Sequence, residues 1–176
     1  MKIHKLDASA CAEVQDQLAE LLLDAVAHGA SLGFLADLDG SSARSYWQDV
    51  RAAVAGGSRV LLAASHDGTL LGTVQLDLCQ KANGRHRAEL QKMIVHSRAR
   101  RRGIGGVLLR AAEAEARELR RGLLFLDTEA GSGAEHLYQG FGYTRVGEVP
   151  DYACTPGGAW HPTAIYYKSL FAPEAA

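Results

Sequence analysis

The sequence predicts a mixed α/β (α+β) fold in one domain, with elements in the order β-α-α-β-β-β-α-β-α-β-β. Three observations lead to it. The 176 residues suffice for one unit with a sizeable core. Apolar positions switch between a period of two and a period of about 3.6 along the chain. No internal repeat, low-complexity tract or linker interrupts it, so residues 1–176 are expected to form a single domain. An apolar content of 47% with 22% charged residues excludes a disordered chain.

"MKIHKL" alternates and reads as the first strand. From Cys11 to His28, Val14, Leu18, Leu21, Leu22 and Ala25 recur at helical spacing, with Ser9 as the expected N-cap and Gly29 as the stop. A second helix is expected from Ser41 or Ser42 to about Ala55, closed by Gly56 and Gly57. "RVLLAA" and "LLGTVQLDL" form a hairpin around the turn "HDG". After the turn "NGR", the strand "HRAELQKMIVH" is expected to turn Ala88, Leu90, Lys92 and Ile94 to one face. Glu89, Gln91, Met93 and Val95 fall on the other. A helix follows from Gly103 to Arg120, with Ile104, Val107, Leu108, Ala111, Ala112 and Leu119 as its apolar stripe. "GLLFLDT" is a buried strand and "GSGAEHLYQGFG" a short helix ended by glycine. "YTRVGEV" and "AIYYKSL" are the last strands.

Cys11, Cys79 and Cys154 form no CxxC pair, which disfavours a zinc site or disulfide framework and fits a reducing cytoplasm. Cys79 reads as a small core hydrophobe. "MKIHKLDASA" lacks the apolar core of a signal peptide. No apolar run reaches the roughly 18 residues of a membrane span. A cytoplasmic protein without membrane contact is therefore expected. The formal net charge is −1, unevenly placed: residues 81–121 carry 12 Lys/Arg against 4 Asp/Glu. One strip should favour anions, and the rest of the surface cations.

That strip contains "ARRRGIGGVLLRAAEAEAR", where a helix begins on a glycine-rich turn behind three arginines. The first turn of a helix has backbone N–H groups without partners and the positive end of the dipole. Gly103, Gly105 and Gly106 leave those donors uncovered, and Arg100, Arg101 and Arg102 add charge, so the turn suits a phosphate. No GxxxxGK[ST] string exists, and Leu108 stands where GxGxxG needs its third glycine. A tight turn with a solvated basic face remains the alternative.

"RRRGIGG", with Arg100, Gly103 and Gly105 on the pattern [QR]xxGx[GA], resembles the pyrophosphate loop of the GNAT acetyltransferases. The preceding "MIV", then "LLFLDT" and "AEHLYQGFGYTRVGE", fall in that family's order, and the resemblance covers most of the chain after residue 58. "LCQKANGRHRAELQKMIV", "GLLFLDTEAGS" and "HPTAIYYK" bear a looser resemblance to the tabtoxin-resistance branch. The resemblance implies a mostly antiparallel twisted sheet flanked by helices, with a V-shaped splay between two central strands. It implies transfer of an acetyl group from acetyl-coenzyme A as co-substrate, with no metal. Met93, Ile94 and Val95 would bond the pantetheine and thioester carbonyl, and residues 100–106, including Ile104, the pyrophosphate. The family often carries an asparagine where this chain has Gly131, so Ser132 or Thr128 would have to supply that contact.

Acetyl transfer needs a neutral amine and a proton for the departing thiolate. Glu89, 14 residues before Gly103, resembles the family's general base; the alternative is a strand carboxylate paired with Arg87 or Lys92. Asp127 and Glu129 share a strand face and compete as bases or amine anchors. Tyr138 matches the tyrosine that resemblance places at the coenzyme sulfur, as the acid; the alternative is a packing residue. His161 could face the acceptor, as could Phe34, Asp37 and Asp39 in the loop between the early helices, where the aspartates are equally well N-cap or loop carboxylates. His28, His66, His96 and His136 have no metal-ligand spacing.

The expectation is an N-acetyltransferase acting on a small amino-acid-like or antibiotic-like amine by direct attack in a ternary complex. A non-catalytic coenzyme A sensor and acetylation of a protein or peptide amine are the alternatives. Nucleic acid is not an expected partner, since no aromatic platform interleaves the basic strip. The resemblance leaves room for a homodimer.

Overall fold

The structure, a computed structural model, describes residues 1–172. Asp7, and not Ser9, caps the first helix by accepting from the Ala10 N–H. The expected single helix is two, α1 (Ala8–Glu13) and α2 (Gln15–Ala27), because Val14 leaves helical geometry between them. Gly29, at φ 82°, ends α2 as expected. Asp39 starts α3 (Gly40–Ala55) by accepting from Ser42 N–H, so it is a cap.

Strands β1 (Lys2–Leu6), β2 (Arg59–His66), β3 (Thr69–Leu78), β4 (Arg87–Val95), β5 (Leu123–Glu129), β6 (Thr144–Cys154) and β7 (Trp160–Ser169) build one sheet in the order β1-β2-β3-β4-β5-β7-β6. The β2–β3 hairpin closes on Asp67 and Gly68, both at positive φ, as a primed turn requires. Helices α4 (Ile104–Glu118) and α5 (Gly133–Gly140) cover one sheet face, α1 to α3 the other. Leu62, Val74, Leu76 and Leu90 meet Leu108, Leu109 and Ala112 of α4 in one core. Leu61, Ala63 and Ile94 meet Leu18, Leu22 and Trp47 in the second. Cys79 is only half-buried and packs at Gly84, short of the core expected for it.

One residue disturbs the period of two in β4. Pairing runs Leu76↔Leu90 and Gln75↔Gln91, then resumes at Thr73↔Ile94, so β4 carries one residue more than β3. Lys92 takes up the excess at φ 46°, a left-handed backbone that costs a non-glycine residue on the order of 1 kcal/mol. Beyond the bulge the faces exchange. Met93 and Val95 pack on the α4 side with Leu90, whereas Ile94 joins the α1–α3 side with Glu89. The expected alternation of residues 88–95 therefore holds only as far as Gln91.

Among the described residues the one parallel pairing is between β4 and β5, bridged by α4, and it is short: Arg87↔Leu123, Ala88↔Leu124 and Glu89↔Phe125. Past Glu89 the strands separate, β4 staying with β3 and β5 with β7 as far as Glu129↔Thr163. The expected splay thus opens at Glu89 and Phe125. Lys168 fixes the far side: its Nζ donates to Glu113 Oε1 and to the Phe141 carbonyl, each at 2.7 Å, tying β7 to α4 and to the end of α5.

Gly72 lets β3, β4 and α4 meet at the bulge, since a Cβ there would lie 2.6 Å from the Ile94 carbonyl oxygen and 3.1 Å from Leu108 Cδ1. Gly72→Ala should destabilise the fold by about 1–3 kcal/mol, read as a lower denaturant midpoint at unchanged m-value.

Candidate active site

The glycine-rich turn lies at the foot of the splay. Arg101 (φ 63°) and Gly103 (φ 76°) both take left-handed backbone, and Gly103 caps α4 with no side-chain bond to the helix. The first intrahelical bond is Val107 N–H to the Gly103 carbonyl, so the amides of Ile104, Gly105 and Gly106 have no helical acceptor. Arg101 and Arg102 are exposed around them. This is an anion cradle in backbone and charge. The glycines divide their duties. Gly103 is needed for its φ, but a Cβ on Gly106 would meet Phe141 at 3.0 Å and one on Gly105 would meet Leu137 at 3.3 Å. Gly105 and Gly106 therefore serve the packing of α5 on α4 as well as the uncovered amides. Arg100 donates from Nε to the Val95 carbonyl at 3.2 Å, bracing the turn against β4.

Val95 is the end of one arm of the splay. His96 N–H donates to the Leu71 carbonyl, which makes Gly72↔Val95 a non-hydrogen-bonded pair. Val95 N–H consequently turns away from β3, into the splay. The adjacent pair, Thr73↔Ile94, is the hydrogen-bonded one, so the Ile94 amide belongs to the sheet and its side chain to the second core. Of the three residues expected to bond the cofactor here, Ile94 is withdrawn.

A carboxylate on α2 secures the link between Val95 and the cradle. Asp24 accepts from Ser97 N–H and Ser97 Oγ, each at 2.7 Å, and lies 3.2 Å from His96 Nδ1 and 3.3 Å from His28 Nδ1. Burial opposes its ionisation, but the Ser97 bonds and the two histidines outweigh it and lower its pKa. A cavity of about 530 Å³ beside this clamp lies outside the splay and contains none of the expected chemical residues. Strand divergence, and not cavity size, defines the site.

On the α1–α3 side of the arms lies a polar face. Burial raises the pKa of Glu89, and Asp127 and Asp77 raise it further, against the Gln91 amide and Lys92. Glu89 makes no ion pair with Arg87 or Lys92 among the described residues. Lys92, lifted onto this face by the bulge, has its pKa lowered chiefly by burial. Arg59 donates to Gln75 Oε1 at 3.2 Å and to Asp77, and Gln75 Nε2 donates to Tyr46 Oη at 3.0 Å. Phe34 stands edge-on to Tyr46 at 5.3 Å, which brings the α2–α3 loop over this face. The same loop bonds the β6–β7 connection through Ala36 N–H and the Pro156 carbonyl at 3.0 Å. Asp37 is exposed beside it.

The other arm carries Asp127, exposed, with Oδ2 accepting from Thr163 Oγ1 at 3.0 Å. Tyr138 is buried in the α4-side core, and burial followed by the Asp127 charge raises its pKa. Its phenol stays protonated, close enough to Asp127 to sense it. Gly131 takes φ 79° and donates its N–H to Glu135 Oε1 at 2.6 Å. Glycine at this position, where the chain departs from the frequent asparagine of the family it resembles, shapes the start of α5. Ser132 caps α5 without a side-chain bond, its Oγ buried and unpartnered. His161 lies inside β7, not before it, with Nδ1 3.8 Å from Glu129 Oε1.

Of the residues singled out from the sequence, Glu89, Asp127, Tyr138 and the turn at 100–106 lie around the splay. Tyr46, Arg59, Gln75, Asp77 and the Asp24 clamp were not singled out, and their partners lie up to 73 positions away. Lys92 did leave a signal: a lysine on what strict alternation makes the core face. Among the described residues no group of His, Cys, Asp and Glu could hold a metal, and no helix is long and apolar enough to cross a membrane.

Residues 21–143 match the profile of the acetyltransferase (GNAT) family. Solved structures with the same fold include yncA, a putative acetyltransferase of Salmonella typhimurium with its cofactor acetyl-CoA, at 20% identity and TM-score 0.77 over 100% of this chain and 97% of that one. A ribosomal-protein-alanine N-acetyltransferase of Brucella melitensis is 25% identical, TM-score 0.75, over 97% and 100%. An aminoglycoside 6′-acetyltransferase type Ii is 22% identical, TM-score 0.73, over 99% and 100%.

Asp24→Asn removes a charged acceptor and should cost about 1.5–3 kcal/mol of stability. In the wild type the Asp24 contribution is present above the ordinary aspartate pKa of about 3.9 and is lost as pH falls through its lower folded value. Denaturant titrations should therefore find the variant least stable relative to the wild type near neutral pH, with the two converging in strong acid.

Proposed function

The chain belongs to the acetyltransferase (GNAT) family, and from that premise we propose that it moves the acetyl group of acetyl-CoA to the amine of a small amino-acid-like or antibiotic-like acceptor. One observation carries the reading: the splay opens beyond Glu89 with Val95 N–H turned into it and the bare N-terminus of α4 at its foot. The residues present fit the coenzyme. The amides of Ile104, Gly105 and Gly106, with Arg101 and Arg102, would hold its pyrophosphate, and Met93 and Val95 line the arm beside them.

Acetyl-CoA supplies an activated thioester. Val95 N–H is a fixed donor for the oxygen charge that develops on attack. Glu89, its pKa raised by burial, takes the proton of the attacking amine. As the N–C bond forms and the C–S bond breaks, the Tyr138 phenol gives its proton to the leaving thiolate. Burial keeps that proton on the phenol until then. Both reactants in one cleft make the attack direct. Asp127 and Glu129 with His161 border the acceptor side, under the loop that carries Phe34 and Asp37. A peptide amine is the second reading, favoured by the 25% identity to the Brucella enzyme.

Calorimetry should show acetyl-CoA binding tightly, pantetheine weakly, and a double charge reversal of Arg101 and Arg102 to Glu abolishing the difference; equal binding of both ligands would remove the cradle. Thiol release should fall roughly 10²-fold or more in Glu89→Gln and in Tyr138→Phe. Wild-type kcat/KM should decline as pH drops through a pKa above the ordinary glutamate value of about 4.3, and that limb should vanish in Glu89→Gln.

A further inference from the structure

The acyl-transfer reading leaves one charged group on the acceptor face unused. Lys92 is half-buried at the bulge, in a backbone conformation that glycine would adopt without strain. The residue there is a lysine, and the bulge delivers its ammonium to the polar face instead of the core. The groups that act on it are Asp127 from β5, Glu89 from its own strand and Arg59 from β2. Arg59 is already held by Asp77 and Gln75, so its charge is largely cancelled. The Lys92 carbonyl accepts from Thr73 Oγ1 at 3.5 Å, but its ammonium makes no hydrogen bond or ion pair among the described residues. It is the cation of this face that still has donors to offer.

With Arg59 and Asp77 cancelling, the charges left acting on Lys92 are Glu89 and Asp127, and Glu129 and Asp37 add carboxylates farther along the acceptor side. Lys92 is thus a lone cation among carboxylates. Such a face matches a ligand that carries one ammonium and one carboxylate. A ligand with several ammonium groups and no anion would set one of them against Lys92.

We propose that Lys92 anchors the carboxylate of a zwitterionic α-amino-acid acceptor whose amine lies toward Glu89 and Asp127. This rests on the acyl-transfer reading and sharpens it: the acceptor is an amino acid, and a polycationic aminoglycoside is excluded.

The test measures thiol release at saturating acetyl-CoA with α-amino acids, their carboxamides and an aminoglycoside, in the wild type and in Lys92→Met, Lys92→Arg and Lys92→Glu. The wild type should prefer acids to their amides. Lys92→Met should raise KM for acids by about tenfold or more, the loss of one charge-assisted bond, and should lower the acid-to-amide ratio of kcat/KM by a similar factor. Lys92→Arg should keep the acid preference, and Lys92→Glu should reverse it. Wild-type preference for amides or the aminoglycoside overturns the proposal. So does an acid-to-amide ratio that Lys92→Met leaves alone, or an absence of turnover with every acid by protein that binds acetyl-CoA. Failure to bind acetyl-CoA in calorimetry would instead strike the acyl-transfer reading beneath it.

Discussion

One extra residue in β4 sets the geometry on which the site depends. A regular β4 would keep Met93 and Val95 on the face of Glu89 and direct Ile94 and Lys92 into the α4 core. The bulge reverses that arrangement. Met93 and Val95 then close over the start of α4, and Val95 N–H is turned from β3 toward β5. The short β4–β5 pairing completes the effect, because strands that part after three pairs leave backbone donors facing open space. Such donors are costly unless water or a ligand meets them, so the splay belongs to function and not to folding.

The charge layout follows the same division. Cationic residues cluster at the α4 turn, where the backbone already favours an anion, and carboxylates gather on the other side of the arms. In the proposed reading, opposite preferences within one cleft would sort the two reactants before they meet. Burial raises the pKa of both Glu89 and Tyr138 more than any single neighbour does, the direction that the proposed base and the proton-holding phenol require.

Much of this was legible in the sequence, and the exceptions have physical reasons. The order of elements, the hairpin, the helix behind "RRRGIGG" and the roles open to Glu89 and Tyr138 depend on local period, turn chemistry and family resemblance. A bulge has no local signature, since one inserted residue reads as ordinary alternation until pairing is known. The Asp24 clamp needs residues 24, 28, 96 and 97 brought together by packing, and nothing near Asp24 announces Ser97. The break at Val14 was hidden because its apolar side chain fits the helical stripe. Gly105 and Gly106 were read for a ligand, and their contact with Leu137 and Phe141 could come only from the packed helices.

Among the described residues the tip of the loop carrying Phe34 and the β6–β7 connection share one backbone bond, Ala36 to Pro156. Phe34 and Leu38 of that loop pack on the second core, so the loop is anchored at its base and tied to its neighbour at its tip. Parting the two tips breaks one hydrogen bond while the anchors stay in place, a local event far smaller in free energy than global unfolding. Substitutions around Ala36 and Pro156 can therefore retune that contact with little effect on the stability of the body.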